Sequence, residues 1–227
     1  MHQQLLTRLL IGGLLLLSTP RGVAQVNIRV GYNLGLLRPE GHHEIYRNFN
    51  ADRPWLSKQL QEFRTLNGLQ LGLRYRFLPA LALEGTWYNQ YHRQAAEGTN
   101  PATNSSFSRI SSFRYSSIGL GVENFLGPIS WGASINYDHL RFRSDGTGQD
   151  RLLVQENFGW SSHFFISYNL QTRGTLRLSL RPYLHRPWYR VPLVALQENL
   201  NPGSPAPTEL EEDYTAFGLM LVFYNGR

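Results

Sequence analysis

Apolar and polar residues alternate strictly in several stretches of the chain. Between Val26 and Leu36 every even-numbered residue is apolar and every odd-numbered residue is polar or glycine. Because successive side chains of a strand point to opposite faces, this pattern predicts a strand with two very different sides. Seven further stretches show alternation of this kind, which gives eight predicted strands at 26–36, 69–77, 81–88, 118–123, 129–138, 158–168, 176–184 and 217–223.

The fourth predicted strand has an irregularity at its start. The apolar residues Phe113 and Tyr115 have odd numbers, whereas Ile118 and the apolar residues that follow it have even numbers. An extra residue in one strand shifts the side-chain alternation by one position, so the sequence predicts a β-bulge near Ser116 and Ser117.

The connections between the predicted strands alternate between short and long. Three joins are short, at 78–80, 125–128 and 169–174, and four are long, at 37–68, 92–112, 141–156 and 186–214. An even number of strands with tight turns at one end and long loops at the other is typical of outer-membrane barrels.

The polar face of the strands is mostly Gly, Ser, Asn and Arg, whereas the outer face of a soluble sandwich would carry many charges. We therefore assign the apolar face to lipid and the polar face to a lumen, since only a closed sheet leaves no unpaired backbone edge in hydrocarbon. Aromatic residues near both strand ends agree with two interfacial girdles. The predicted fold is all-β, an eight-stranded antiparallel up-and-down transmembrane β-barrel with short periplasmic turns and long extracellular loops.

The first 24 residues predict export. Arg8 is followed by the apolar run Leu9–Leu17 and by small residues up to Ala24, as in a signal peptide cleaved before Gln25. A retained helical anchor is the alternative, but it needs about 20 apolar residues and this run is shorter. We therefore expect a signal peptide at 1–24, a barrel domain at 25–227 and a location in the bacterial outer membrane.

With these features the chain resembles the small eight-stranded outer-membrane β-barrel proteins of Gram-negative bacteria. The resemblance rests on the signal peptide, the immediate alternation from Val26 and the closing stretch Phe217–Tyr224, and it covers the whole mature chain. Such chains commonly end on an aromatic residue, whereas this chain continues past Tyr224 with three more residues.

Composition narrows the chemistry. The chain has no cysteine, which excludes disulfides, thiolate metal sites and a cysteine nucleophile. Its net charge of +6 comes almost entirely from arginine, because Lys58 is the only lysine. Arginine suits buried, forked hydrogen bonding better than lysine does. No phosphate-binding glycine loop or nucleic-acid motif is present, and we expect no cofactor, no metal and no nucleic-acid partner.

Strand alternation places several charged residues in the lumen. If 78–80 is a three-residue turn, Phe77 pairs with Leu81 and Arg74 lies opposite Glu84. Because an eight-stranded barrel is just wide enough for side chains to fill it, we predict a structural plug rather than a pore, with a gated ion path as the alternative. The predicted ion-pair network near the short-turn end comprises Arg29, Arg74, Arg76, Glu84, Glu123, Arg177 and Arg181.

The long loops are expected to carry any specific role. In the first loop Asp52 can cap a short helix from Arg53, with Leu56, Leu60 and Phe63 on one stripe. The adjacent His42 and His43 are expected to be solvated rather than to bind a metal. Loops 37–68 and 186–214 are the candidate contact sites for a protein partner, and outer-membrane lipids and lipopolysaccharide are expected around the barrel.

Catalysis is the remaining alternative, because some small outer-membrane barrels modify lipid A. His139 and Glu156 point outward on neighbouring strands and can meet, but the nearest outward serine, Ser162, lies deeper. We therefore expect that the chain is not an enzyme. The sequence favours a structural, adhesive or assembly-partner role, with a lipid A deacylase or acyltransferase and a narrow channel as alternatives.

Overall fold

The computed structural model describes residues 25–146, 152–170, 176–203 and 211–225. The predicted signal peptide at 1–24 lies outside these residues, as do parts of three predicted loops and turns. Among the residues described, no helix is long and apolar enough to cross a membrane.

Eight long antiparallel strands form a closed ring. Each pairs with its neighbours in the chain, and the ring closes between the first and the last, for example at Val30 and Phe223. This arrangement confirms the predicted up-and-down barrel. The barrel strands are β1 (Gln25–Leu36), β3 (Thr65–Leu78), β4 (Leu81–Asn100), β5 (Ser105–Leu126), β6 (Ile129–Gly146), β7 (Leu152–Leu170), β8 (Leu176–Pro187) and β11 (Ala216–Asn225).

The outer wall of the barrel carries a continuous apolar belt. Ile28, Leu120 and Trp131 are each more than half exposed, while their chain neighbours turn inward. Leaving so much apolar surface in water is unfavourable, and a bilayer removes that cost. The belt therefore matches the predicted lipid-facing side of the strands.

The short-turn end differs from the prediction by one residue. Arg74 pairs with Glu84 in register, but Leu78, not Phe77, pairs with Leu81. The join is a two-residue turn at Pro79 and Ala80, and a bulge near Phe77 absorbs the extra residue.

The predicted loops at 92–112 and 141–156 are mostly strand, which corrects the assignment of these segments. β4 and β5 continue past the apolar belt as a paired ribbon and reverse only at residues 101–104. β6 and β7 extend in the same way. Polar residues outside the belt do not break a strand, because water solvates the outer face there and the backbone ladder continues.

The predicted bulge near Ser116 and Ser117 is absent. β5 keeps one continuous register with both β4 and β6 through this region. Phe113 and Tyr115 are apolar on the inward face because the barrel interior above them is an apolar core rather than a polar lumen. The change of phase reflects a change of surroundings along a regular strand.

The long-loop end is closed by what we call the cap, the described residues between β1 and β3 and between β8 and β11. It contains α1 (Glu40–Ala51), β2 (Leu56–Lys58), β9 (Val191–Pro192), α2 (Val194–Leu200) and β10 (Glu211–Glu212). β2 pairs with the upper part of β4, and β9 pairs with β10.

The helix predicted from Arg53 is wrong, because α1 ends before Asp52 and the chain then turns into β2. The stripe residues Leu56, Leu60 and Phe63 are nevertheless buried. They join an apolar core that also contains Ile45, Phe49, Phe113, Phe142, Leu193 and Leu196.

Candidate functional site

Charged side chains from five strands meet inside the barrel. Strand alternation turns Arg29, Arg74, Glu84, Glu123 and Arg181 inward, and each is at most 5% exposed. The Arg181 guanidinium donates two hydrogen bonds of 3.1 and 3.2 Å to Glu84 and a third, of 3.0 Å, to Glu123. Such forked geometry is what arginine provides and lysine does not.

The other two arginines complete the network. Arg29 forms an ion pair with Glu84, and Arg74 lies 3.3 Å from Glu123. The sequence-based pairing of Arg74 with Glu84 therefore holds for the backbone register but not for the side chains. Two neighbouring carboxylates share three guanidinium groups, so the network carries one excess positive charge.

Hydroxyl groups and aromatic rings surround these charges. Ser130 donates a 2.6 Å hydrogen bond to Glu123, and Ser167 accepts one of 2.7 Å from Arg181. The Arg181 guanidinium also lies 3.8 Å from the centre of the Phe165 ring. These contacts supply hydrogen bonds to Glu123 and Arg181, as a buried ion pair requires. Among the described residues, Nε and Nη2 of Arg29 have no hydrogen-bond partner.

Two residues of the predicted network lie outside its buried centre. Arg76 is half-buried, donates to the Pro79 carbonyl and lies 4.5 Å from the centre of the Phe125 ring. Arg177 is also half-buried. Within the described ranges, neither arginine forms an ion pair, because both lie where the lumen opens at the short-turn end.

A second polar cluster lies above this network. Ser117 donates a 2.7 Å hydrogen bond to Asp138, whose other carboxylate oxygen lies 3.4 Å from Nε2 of His185. His185 also contacts the Tyr115 hydroxyl. Sequence reasoning missed His185, although His185 shares the inward parity of Arg181 on the same strand.

The lumen leaves little empty space. Near His185 and the Tyr183 hydroxyl, a cavity of about 20 Å³ lies between the polar cluster and the cap. A volume of this size holds about one water molecule. The side chains therefore fill the interior at this level.

The cap holds its histidines in its interior, contrary to the expectation that they are solvated. His42 is fully buried, with its ring centre 4.8 Å from that of Phe63 and its Nδ1 3.2 Å from the Tyr214 hydroxyl. Burial lowers the pKa of His42 to about 3, with smaller contributions from the neighbouring His43 and His92. His42 is therefore neutral at physiological pH. In the part of the chain that is described, no group of three or more metal-ligating side chains is close enough to hold an ion.

The outward pair His139 and Glu156 does meet. Nε2 of His139 lies 2.5 Å from Oε1 of Glu156, and Arg141 contacts both, with its Nε 2.8 Å from the same histidine nitrogen. The other ring nitrogen also faces Arg141, at 3.2 Å. Both nitrogens of His139 are thus engaged by this trio, and no described serine forms a hydrogen bond to the ring.

One outward serine was overlooked in the sequence. Ser116 lies directly opposite His139 on β5, closer than Ser162, but its hydroxyl donates 3.0 Å to Asn89 rather than to His139. The apparent bulge at this point hid its outward direction. Parity counted back from Ile118 would have found it.

Comparison with solved structures identifies the fold. Over 89% of this chain and 97% of the other, the structure superposes on Ail, the attachment invasion locus protein of Yersinia pestis crystallised with the heparin analogue sucrose octasulfate, with a TM-score of 0.51 and 9% identity. The chain has the fold of the small outer-membrane β-barrel proteins. A second Ail structure gives a TM-score of 0.50, with 11% identity, 88% of this chain and 96% of that one.

A third structure, Neisserial surface protein A, gives a TM-score of 0.45, with 10% identity over 91% of this chain and all of the other. No protein-family model matches the chain, and no curated protein matches it by sequence.

Proposed function

We propose that this chain is an integral protein of the bacterial outer membrane and that its ordered cap serves as a contact surface for adhesion or for an assembly partner. In this proposal the barrel is a rigid support and the chain performs no catalysis. Lipids of the outer membrane surround the apolar belt, and the cap faces the cell exterior.

The observation that carries the proposal is the set of hydrogen bonds that ties the described parts of the cap to each other and to the barrel. Its two segments are tied together where Asn201 donates a 2.9 Å hydrogen bond to the Ile45 carbonyl. They are tied to the barrel where the Tyr46 hydroxyl lies 2.7 Å from that of Ser111 and where Arg109 donates to Asn199. A pre-ordered surface loses little conformational entropy on binding, so it suits recognition.

The filled lumen argues against a channel. Five buried charged side chains cross the interior in mutual contact, and the cavity above them holds about one water. A conducting path would need a continuous aqueous route past these groups and through the apolar core of the cap.

A hydrolase is supported less well. His139 and Glu156 are in contact, but a general base needs one ring nitrogen directed at a nucleophile. In this structure Arg141 and Glu156 engage both nitrogens. The fold itself is compatible with a surface role, since Ail is by name an attachment protein.

Photo-crosslinking tests the contact surface. A crosslinker at Val194 in the cap, which is 45% exposed, is compared with one at Leu120 on the apolar belt, which is 68% exposed. Adducts with a defined protein or surface glycan from the cap position only are the expected result. The same adducts from both positions, or lipid adducts alone from both, would refute the proposal.

Two further measurements separate the alternatives. An altered lipid A mass spectrum in a deletion strain would support the enzyme and overturn the non-catalytic role. Cell fractionation with heat-modifiable gel migration tests the location, because a folded barrel migrates differently from the boiled chain.

A further inference from the structure

Four arginines gather on the outer wall of the barrel, where β4, β5 and β6 lie side by side. One row across the strands runs from Tyr91 through Arg114 to Arg141, and the next row runs from Arg93 through Ser112 to Arg143. All of these residues have outward parity, with Arg93 and Arg114 exposed and Arg141 and Arg143 half-buried. Neighbouring strands are about 4.8 Å apart, so the guanidinium groups share one small area.

The area is short of negative charge. Of the four arginines, Arg141 is the one with an ion pair to another described residue, Glu156 at 3.0 Å. Arg114 donates its Nε to the uncharged Asn89 at 2.7 Å. The next outward acid on β6, Asp145, lies two residues beyond Arg143 and opposite Ile110. Four arginines therefore face two carboxylates here, those of Glu156 and Asp145. Like charges directly opposite each other in a sheet are destabilising, as Arg114 and Arg141 are here, so an external anion would stabilise this wall.

The height of the patch identifies the source of that anion. One row below it, towards the short-turn end, lie Asn89, Ser116 and His139, and the row below that contains the apolar Trp87, Ile118 and Tyr137. Aromatic side chains such as Trp and Tyr mark the level of the lipid headgroups. Tyr91, in the first arginine row, is itself an exposed aromatic residue. The arginines therefore lie just above the apolar belt, on the side where headgroup phosphates are found.

The patch is also concave. A surface pocket of about 290 Å³ is lined by Arg93, Arg114, Arg141 and Arg143, together with Tyr91 and Asn89. We infer that this pocket binds the phosphate groups of an outer-leaflet lipid of the lipid A type, whose acyl chains would run along the apolar wall below. Guanidinium groups recognise phosphate through paired, charge-assisted hydrogen bonds.

The inference rests on the proposed membrane location but not on the proposed role of the cap. It is tested with purified, refolded protein in phosphatidylcholine nanodiscs that contain either diphosphorylated lipid A or its dephosphorylated form. Native mass spectrometry counts the lipid A molecules retained per barrel. The test variant is Arg114→Gln with Arg143→Gln, which leaves the trio of His139, Arg141 and Glu156 in place.

The matched control removes two positive charges from the same end of the molecule. Arg47→Gln with Lys58→Gln changes two exposed cations whose partners are Glu62 and Glu97. We expect the unmodified protein to retain diphosphorylated lipid A in preference to the dephosphorylated form, the test variant to lose about tenfold in affinity, and the control to change less than about twofold. Heat-modifiable migration restricts the comparison to folded barrels.

Three outcomes would overturn the inference. The first is equal retention of the two lipid A forms, and the second is an equal loss in the test and control variants. The third is displacement of lipid A by soluble sucrose octasulfate, at the concentration at which that sugar alone saturates the pocket. This outcome would mean that the arginines bind a soluble polyanion. The proposed role of the cap is untouched by each of these outcomes, because the nanodisc contains no adhesion or assembly partner.

Discussion

Replacing Glu84 by glutamine tests whether the lumen network holds the barrel together. Glutamine keeps the shape and one acceptor oxygen but removes the charge. Glu84 is the carboxylate that pairs with Arg29, which is fully buried, and it also takes two of the hydrogen bonds of Arg181. After the change, two positive charges in the network lack a carboxylate instead of one.

The magnitude follows from burial. Removing one partner of a buried ion pair costs about 3–5 kcal/mol, because the other charge stays in a site without water. Arg181 retains Glu123 at 3.0 Å, so the larger part of the loss comes from Arg29. We expect Glu84→Gln to lower the free energy of unfolding by about 3 kcal/mol, the low end of that range, because the amide still accepts one hydrogen bond.

The assay is urea unfolding of the refolded barrel in detergent micelles, with the folded fraction read from heat-modifiable gel migration. The control is Glu97→Gln, which breaks an exposed pair with Lys58 and is expected to cost at most about 1 kcal/mol. The double variant Arg29→Met with Glu84→Leu should recover most of the loss, since apolar residues often replace a buried pair without cost. Equal unfolding midpoints for Glu84→Gln and Glu97→Gln would refute the reasoning.

Three further predictions follow from the cap, the strand packing and the lumen. Because the pKa of His42 is about 3 in the folded cap, below the ordinary 6.5, stability is lost as the pH falls from about 6.5 towards 3, and Glu62, whose pKa is lowered mainly by its hydrogen bond from Arg47, acts in the same direction. Hydrogen exchange of α1 at pH 7 and pH 4 measures this loss, which should be smaller in His42→Phe. A Cβ at Gly68 would lie 1.9 Å from a backbone carbonyl oxygen of β4, whereas one at Gly85 would meet nothing within 4 Å. Gly68→Ala should therefore destabilise the barrel by about 1–3 kcal/mol and Gly85→Ala should not, as judged by urea midpoints. Planar-bilayer recordings of the folded protein should show no discrete current steps, and regular steps would contradict the plug.

Alternation and turn residues were enough to predict the barrel, because a strand in a membrane meets two uniform environments. They also placed Arg74 opposite Glu84 in register. They did not give the ion pairs. The side chains of Arg29 and Arg181 reach Glu84 across the lumen, and those contacts depend on the barrel's curvature, which no pattern along one strand records.

The cap was harder to predict for a related reason. The stripe of Leu56, Leu60 and Phe63 correctly marked buried residues, but its spacing suggested a helix where the chain forms β2 and an extended segment. The helix in the structure, α1, follows Pro39 and contains two buried histidines. A cap is built to fit the barrel mouth, so tertiary packing decides which apolar spacing becomes which element.

In β5 the apolar residues change from the outward face to the inward face. This change shows that the alternation depends on the height of a residue along the barrel as well as on the face to which it points. A true bulge would shift the apolar positions of one strand only. In β6, however, the apolar residues change from the outward face to the inward face at the same level as in β5. Tyr137 faces outward opposite Ile118, and Leu140 faces inward opposite Tyr115. When apolar residues change face at the same level in two paired strands, the surroundings change at that level. Below it, lipid lies outside the barrel and polar groups lie inside. Above it, water lies outside and an apolar core lies inside. The rows between these pairs therefore mark the edge of the apolar belt, and the Arg114 and Arg141 row lies directly above that edge. In a barrel of this kind, coincident reversals on paired strands thus separate a membrane boundary from a bulge, which reverses one strand alone.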